Sequence, residues 1–74
     1  MRIGITLHEA QLEIWPIDDW SRKQCIQILT RHQIGFQYVP TTMNTMAFRF
    51  YDTEDYLLAK GLFIDNPNFI EYKN

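Results

Sequence analysis

The sequence lacks the features that several specialised classes of protein require. Its 74 residues include one cysteine, Cys25, so an internal disulfide is impossible and a reducing compartment is expected. No apolar run approaches the ~20 residues of a membrane span, and residues 1–6 lack the basic and then apolar pattern of a secretion signal. We therefore expect a cytoplasmic protein without a membrane partner.

An excess of positive charge is also missing. The chain has 7 lysines and arginines against 9 aspartates and glutamates, which gives a formal net charge of −2. Proteins that bind nucleic acids usually carry a basic excess, because contacts with phosphate groups need cations. The balance of charge therefore argues against nucleic acid as the partner.

Patterns of catalytic or metal-binding residues are missing as well. His8 and Glu9 begin like the zinc-protease motif, but Leu12 stands where that motif needs its second histidine. Cys25 and His32 are seven residues apart, which is about 10 Å along a helix and too far for a direct hydrogen bond. We therefore predict that the protein is not an enzyme and has no cofactor site and no metal site.

Apolar and aromatic residues, in contrast, are abundant. Hydrophobic residues make up 46% of the chain and aromatic residues 15%. A chain of this length forms one domain, expected over residues 1–74, and buries only about 60% of the surface of the unfolded chain. The aromatic content exceeds what a small two-layer core needs, so we predict that a partner, or a second copy, covers part of the surface.

The spacing of apolar residues predicts two strands and a helix in the first half of the chain. Alternation in residues 3–7 and again in residues 12–14 indicates two strands, which residues 8–11 could join as a hairpin. Asp18 is the expected N-cap of a helix that runs to Gln33, and Gly35 is expected to end that helix in a left-handed conformation.

The second half of the chain repeats this succession of strands and helix. Residues 36–39 and 46–51 are predicted strands on either side of a polar loop. Asp52 or Thr53 is expected to cap a second helix that runs to about Phe63, and the acidic residues in its first turn match the helix dipole.

A final strand over residues 69–73 completes the order β-β-α-β-β-α-β. Without its first strand, this order is the split βαβ pattern of the ferredoxin-like fold. We therefore predict an α+β two-layer sandwich in which two helices cover one face of an antiparallel sheet and leave the other face open. The predicted core consists of Ile3, Ile5, Leu7, Leu12, Ile14, Cys25, Ile28, Leu29, Phe36, Phe48, Phe50, Leu57, Leu58, Leu62 and Ile70.

Two apolar stripes on the second helix leave its orientation open. One stripe consists of Leu57, Leu58 and Leu62, and the other consists of Tyr56, Ala59 and Phe63. We assign the leucine stripe to the core and predict that Tyr56 and Phe63 lie on the outer side of the helix. The alternative is that Tyr56 and Phe63 pack against the first helix.

The open face of the sheet is a further predicted binding surface. Met46, Phe48 and Phe50 should face the core, because they share one side of a strand. Arg49 and Tyr51 alternate with them and should therefore lie on the open face. Another protein, or a second copy in a two-fold homodimer, would cover these surfaces. The predicted partner-binding residues are accordingly Arg49, Tyr51, Tyr56 and Phe63.

Residues 48–63, with the sequence FRFYDTEDYLLAKGLF, resemble a signature of small uncharacterised proteins of tailed bacteriophages. The segments IGF at residues 34–36 and VPT at residues 39–41 fit the same resemblance, which covers about half of the chain. The resemblance implies a phage origin and no particular chemistry. Since small phage proteins of this kind often bind a host protein, it also implies a host protein as the target.

The predicted function is that of a small non-enzymatic protein-binding module. The resemblance extends this prediction to a phage factor that inhibits or redirects a host or defence protein in the host cytoplasm. The alternative is a single-stranded nucleic-acid binder that uses the open sheet face, with Arg49 and Tyr51 as its platform.

Overall fold

The computed structural model describes residues 2–41 and 46–72. In this part of the chain the elements are β1 (Ile3–His8), a 3-10 turn (Glu9–Gln11), β2 (Glu13–Pro16), α1 (Asp19–Arg31), β3 (Gln37–Pro40), β4 (Met46–Arg49), α2 (Thr53–Asp65) and β5 (Phe69–Glu71). The predicted order of strands and helices is confirmed. Most of the predicted polar loop, residues 42–45, lies outside the described residues, as does residue 73 of the predicted last strand.

The hairpin of β1 and β2 closes without the glycine or asparagine that short hairpin turns favour. The two strands are antiparallel, with Leu7 opposite Ile14 and His8 opposite Glu13. The 3-10 turn joins them, and Leu12 then takes a left-handed conformation with φ of 56°. Its N–H donates to the carbonyl of Glu9, which closes the turn. A hydrogen-bonded turn of this kind does not need the usual turn residues.

Helix α1 begins at the predicted cap but ends earlier than predicted. The side chain of Asp18 accepts a hydrogen bond of 2.7 Å from the N–H of Ser21, as an N-cap should. At the other end, the left-handed residue is Gln33, with φ of 58°, and not Gly35. The N–H of Gln33 donates a hydrogen bond to the carbonyl of Thr30, and the N–H of Ile34 donates one to the carbonyl of Leu29.

These bonds form a Schellman motif, in which the buried side chains of Ile34 and Leu29 belong to the same core. Burial of Ile34 therefore sets the end of the helix, and the prediction for Gly35 is wrong.

The five strands form one mixed sheet in the order β3-β4-β2-β1-β5. Strands β1 and β5 are parallel, whereas the pairs β1 with β2, β2 with β4, and β3 with β4 are antiparallel. The α+β architecture is confirmed, but the prediction of an entirely antiparallel sheet is wrong. The reason is that β1 lies between β2 and β5, so the last strand pairs with the first strand of the chain and runs in the same direction.

Both helices contribute to one hydrophobic cluster with the same face of the sheet, which gives two layers. Its buried members are Ile3, Ile5, Ile14, Cys25, Leu29, Ile34, Phe48, Phe50, Tyr56, Ala59 and Phe63. The predicted core residues Leu7, Leu12, Ile28, Phe36 and Leu62 are partly buried against this cluster. Ile70 is half-buried and pairs with Gly4 in the sheet. Leu57 and Leu58 are exposed, so their assignment to the core is wrong.

Within residues 2–41 and 46–72, neither helix has the length and hydrophobicity that a membrane-spanning segment requires.

Candidate partner-binding surfaces

The register of the strands defines the residues of the open face, the side of the sheet opposite to the helices. Phe48 pairs with Ile14 on the covered side, so the next residue, Arg49, lies on the open face. Arg49 pairs with Glu13 on one side and with Gln37 on the other, and Glu13 also pairs with His8. Polar residues from four adjacent strands therefore form one row across the open face.

A buried carboxylate lies at the centre of this row. Oε2 of Glu13 accepts hydrogen bonds from Nε and Nη2 of Arg49 at 2.8 and 2.6 Å. Oε1 of Glu13 accepts a bond of 2.8 Å from the indole N–H of Trp15. The side chain of Glu13 is only 5% exposed, whereas that of Arg49 is 49% exposed. The positive charge of Arg49 is thus compensated at short range, although its guanidinium group remains accessible.

The side chain of Trp15 is held from two directions. Its ring stacks on the ring of His8, with centroids 4.0 Å apart and an angle of 25° between the planes. Its N–H is bound to Glu13. Nε2 of His8 is buried and makes no hydrogen bond with any residue in the described part of the chain. Contacts within the domain therefore hold the aromatic centre of the open face in this position.

Apolar side chains cover the sheet backbone next to this network. A Cβ atom on Gly4 would lie 2.6 Å from Cγ1 of Ile17 and 2.7 Å from Cε1 of Tyr72, so these two side chains need a glycine beneath them. Even so, Ile17 is 40% and Tyr72 is 46% exposed. Strand β2 ends before it reaches Gly4, so the pairing of β1 with β2 does not include this residue. The N–H of Gly4 instead donates a hydrogen bond of 3.0 Å to the buried hydroxyl of Ser21. The small residue near the start of α1 thus satisfies the backbone beneath the apolar part of the open face.

Tyr51 lies just beyond the end of β4, two residues after Arg49. It is 64% exposed, and its ring edge is next to Gly35, where a Cβ atom would be 3.3 Å from Cε2 of the tyrosine. Both residues predicted for the open face are therefore accessible to a partner.

Tyr56 and Phe63, in contrast, belong to the core. Both are fully buried, and their rings lie 6.1 Å from Phe50 and 4.7 Å from Phe69, respectively. The fully buried Ala59 lies between them and lets the helix approach the sheet. The prediction that Tyr56 and Phe63 lie on the outer side of the helix is wrong, because these two rings fill the space between α2 and the sheet.

The outer side of α2 carries a different apolar surface. At 100° per residue, Leu57, Leu58, Gly61 and Ile64 fall within one arc of the helix, and we call these four residues the outer stripe. Leu57 and Leu58 are each 54% exposed and Ile64 is 50% exposed. The exposed acidic residues Glu54 and Asp65 lie in the same arc, one beyond each end of the stripe.

Burial raises the pKa of two ionisable groups inside the core. Burial raises the pKa of the Cys25 thiol to about 12, so it stays protonated at neutral pH and is a poor nucleophile. His32, seven residues further along the chain, is exposed at the end of α1. Burial also raises the pKa of Tyr56 to about 12, with the charges of Glu9 and Glu71 adding to the effect. Among the described residues, the hydroxyl of Tyr56 has no hydrogen-bond partner.

No group of three or more His, Cys, Asp or Glu residues within residues 2–41 and 46–72 is arranged to hold a metal ion. Asp52 is explained as the N-cap of α2, because its side chain accepts a bond of 2.8 Å from the N–H of Asp55. Comparison with protein-family models, with curated proteins and with solved structures finds no match to this chain. The physical properties of its surfaces therefore carry the functional argument.

Sequence analysis missed Glu13, Trp15 and His8 as members of the open face. A signal for them was present, since all three alternate with residues assigned to the core, Leu7 and Ile14. Their meeting with Arg49, however, depends on the pairing of β2 with β4, which are separated by α1 and β3.

Proposed function

We propose that the protein is a non-enzymatic protein-binding module and that its partner docks on the open face. The observation that carries this proposal is a set of apolar and aromatic side chains that no described element covers, namely Ile17 and Tyr72 over β1 and, separately, Tyr51 beyond the end of β4. Ile17, Tyr51 and Tyr72 are 40, 64 and 46% exposed. Exposed apolar and aromatic side chains of this kind are typical of interaction sites, and tyrosine is among the residues that contribute most to binding.

The charges of the open face support a protein as its partner. Arg49 is bound to Glu13, so the polar row presents an ion pair and not a free cation. A charge-compensated surface with rigid aromatic rings suits an apolar protein surface that has a few hydrogen-bonding groups at its edge. Trp15 and Arg49 both donate hydrogen bonds to the carboxylate of Glu13. Tryptophan and arginine are enriched at such interfaces.

The resemblance of residues 48–63 to small proteins of tailed bacteriophages extends this proposal. The partner would then be a bacterial host or defence protein that the module inhibits or redirects in the host cytoplasm.

A capture experiment with matched variants tests the proposal. The immobilised protein is incubated with a bacterial lysate, and bound proteins are identified by mass spectrometry. Wild type and Gln27→Glu, which changes an exposed residue of α1, should retain the same stoichiometric partner. Tyr51→Glu and Tyr72→Glu should lose it, since each places a charge in the apolar surface. Circular dichroism checks that all four proteins are folded.

Two results would contradict a partner on the open face. One is that wild type captures no protein in stoichiometric amount and is monomeric by light scattering. The other is that Tyr51→Glu and Tyr72→Glu retain the partner as well as Gln27→Glu does. A second copy of the chain is the competing occupant of this face. It would appear as a wild-type dimer that both tyrosine variants convert to a monomer.

Single-stranded nucleic acid is the second candidate for the open face. The accessible guanidinium group of Arg49 and the exposed ring of Tyr51 are two residues apart, which is the combination that supports base stacking beside a phosphate. The ion pair with Glu13 weakens this candidate, because the carboxylate would repel the phosphate. Fluorescence anisotropy with a labelled oligonucleotide at low salt decides the matter, since only a nucleic-acid binder would show salt-sensitive binding that Tyr51→Glu removes.

We also propose that the fold is a ferredoxin-like sandwich enlarged by one strand. Its support is that the chain contains two βαβ units, β2-α1-β3 and β4-α2-β5. In the sheet, β4 lies between β2 and β3 of the first unit, and β2 and β1 lie between β4 and β5 of the second unit. An experimental structure with a different strand order would overturn this assignment.

A further inference from the structure

The outer stripe of α2 contains a glycine that the domain itself does not require. Apart from the two chain neighbours of Gly61 and the nearby backbone of its own helix, no atom of the described residues lies within 4 Å of the position that a Cβ atom on Gly61 would occupy. No glycine in the described part of the chain has a positive φ, so the backbone of Gly61 suits any residue. In the interior of a helix, glycine is less favourable than alanine by about 1 kcal/mol. The reason for this glycine must therefore lie outside the isolated domain.

A partner helix supplies such a reason. Leu58 and Ile64 lie three residues before and three residues after Gly61 on the same arc of α2. Two large apolar side chains on either side of a glycine form a notch, into which the backbone or a large side chain of a second helix can pack closely. The stripe thus has the length and shape for one helix that crosses α2 at Gly61.

The charges around the notch select the kind of helix. Glu54 and Asp65 are exposed at the two ends of the stripe, and Asp52 adds a further acidic group before the first turn. The one lysine of α2, Lys60, forms an ion pair with Glu9 and leaves the ends of the stripe uncompensated. A partner helix should therefore carry cationic residues at both ends of its own apolar stripe.

The same charges argue against a second copy on this surface. If two α2 helices crossed at Gly61 in antiparallel directions, Glu54 of each would approach Asp65 of the other. If they crossed in parallel, each acidic residue would approach its own equivalent. Both arrangements bring like charges together, which is unfavourable at an interface.

We propose that the outer stripe binds an amphipathic helix of another protein, whose apolar stripe has lysine or arginine at both ends and crosses α2 at Gly61. This surface lies on the side of α2 that faces away from the sheet, so the proposal is independent of the open face. One copy of the module could then contact two partners at once, one on each side.

Two synthetic helical peptides test the proposal. They share one stripe of leucines, and one peptide has lysines at both ends while the other has glutamates there. Binding to the full chain is measured by fluorescence anisotropy. The lysine peptide should bind at least tenfold more tightly than the glutamate peptide, and Leu58→Gln should weaken its binding at least tenfold. Tyr51→Glu, on the open face, is the control that should bind like wild type.

Gly61→Leu provides the most specific test, because it adds apolar surface and leaves every charge unchanged. If the partner helix packs into the notch, this variant binds the lysine peptide at least tenfold more weakly. If the contact is only a loose apolar and ionic one, binding is unchanged or becomes tighter, and the proposal is wrong. Circular dichroism checks that the variant is folded. The double variant Glu54→Gln and Asp65→Asn removes the two exposed charges without touching the stripe, and it should weaken binding of the lysine peptide.

Three other results would overturn the proposal. They are equal binding of both peptides, binding of the lysine peptide that Leu58→Gln does not reduce, and a wild-type dimer that Leu58→Gln converts to a monomer. None of these results concerns capture by the open face, so this proposal and the proposed function can fail separately.

Discussion

Both sides of helix α2 carry large apolar side chains, but the two sides differ in exposure. On the inner side, Tyr56, Ala59 and Phe63 are fully buried. On the outer side, Leu57 and Leu58 are more than half exposed. Hydrophobicity alone would favour the leucines for the core as much as the aromatic residues. The shape of the space between α2 and the sheet therefore determines which side of the helix is buried.

The space in question is bounded by aromatic rings. Phe50, just after β4, meets Tyr56, and Phe69 of β5 meets Phe63. Two large rings separated by an alanine match this surface, because the alanine brings the helix close and the rings fill the volume on either side of it. In the part of the chain that the structure describes, the outer side has no such complement.

The largest effect expected from this comparison is on stability. Phe63→Ala should lower the free energy of unfolding by about 3–5 kcal/mol, since it leaves a cavity in the core. Its neighbour Ile64 is half exposed, so Ile64→Ala should change the same quantity by no more than about 0.5 kcal/mol. Urea unfolding measures the free energy of unfolding of the two variants. A Phe63→Ala protein that does not fold would also agree with the prediction. Similar losses for both would show that the outer side is as well packed as the inner side.

A smaller effect is expected when the same side chain is added on each side of the helix. Ala59→Leu should lower the free energy of unfolding by about 1–3 kcal/mol, because Ala59 is fully buried and the core must expand. Gly61→Leu should cause no loss, since no described residue beyond the chain neighbours and nearby backbone of the helix has an atom within 4 Å of a Cβ atom there. Thermal unfolding of both variants distinguishes the sides, and an unstable Gly61→Leu protein would contradict the exposed position of the stripe.

The hydroxyl of Tyr56 makes the stability of the inner side depend on pH. The pKa of Tyr56 is raised from 10.0 to about 12, so the folded protein holds this proton more tightly than the unfolded chain does. Stability from this group is fully present below pH 10 and is lost as the pH rises towards 12. Tyr56→Phe should reduce that loss, and at neutral pH it should raise the free energy of unfolding by about 1 kcal/mol because it removes an unpaired buried hydroxyl.

Urea unfolding of wild type and Tyr56→Phe at neutral pH and near pH 11 provides the measurement. Cys25, whose pKa is also raised to about 12, loses stability over the alkaline range in both proteins. The difference between them therefore isolates the tyrosine. Identical pH profiles would show that the Tyr56 hydroxyl is not buried as described.

The smallest effect is a gain in stability on the outer side. Gly61→Ala should raise the free energy of unfolding by about 0.5–1 kcal/mol, because alanine is the better helix former and no other described element comes within 4 Å of the added methyl group. A rise of the melting temperature by a few degrees would confirm the gain. A fall would mean that the free domain needs this glycine, and the reason given for a partner helix would disappear.

Helix α1 shows why sequence analysis succeeded at one helix and failed at the other. Lys23, Gln27 and Arg31 are exposed on one side of α1, while Cys25 and Leu29 are buried on the other. A helix with one polar side has one possible orientation, and the prediction was correct. Helix α2 has apolar residues on both sides, so its residue spacing was compatible with two opposite orientations.

The open face shows the same limit for the sheet. The alternation in β4 was sufficient to place Arg49 on the side opposite to Phe48, and the structure has it there. The bond between Arg49 and Glu13 could not be predicted, because the two residues are 36 positions apart. Their meeting required that β4 pair with β2 in one particular register.

The sequence by itself determined where the helices begin, which segments are strands, which residues of α1 face inwards and that Phe48 of β4 does so. Met46, predicted to face the core with Phe48, is exposed. These properties depend on neighbours a few positions apart, such as the cap of Asp18 on Ser21 and that of Asp52 on Asp55. Only the tertiary structure decided that β5 lies parallel to β1 and that Tyr56 and Phe63, rather than Leu57 and Leu58, are buried. Those choices depend on the fit between surfaces that are distant in sequence, which residue spacing along one element does not contain.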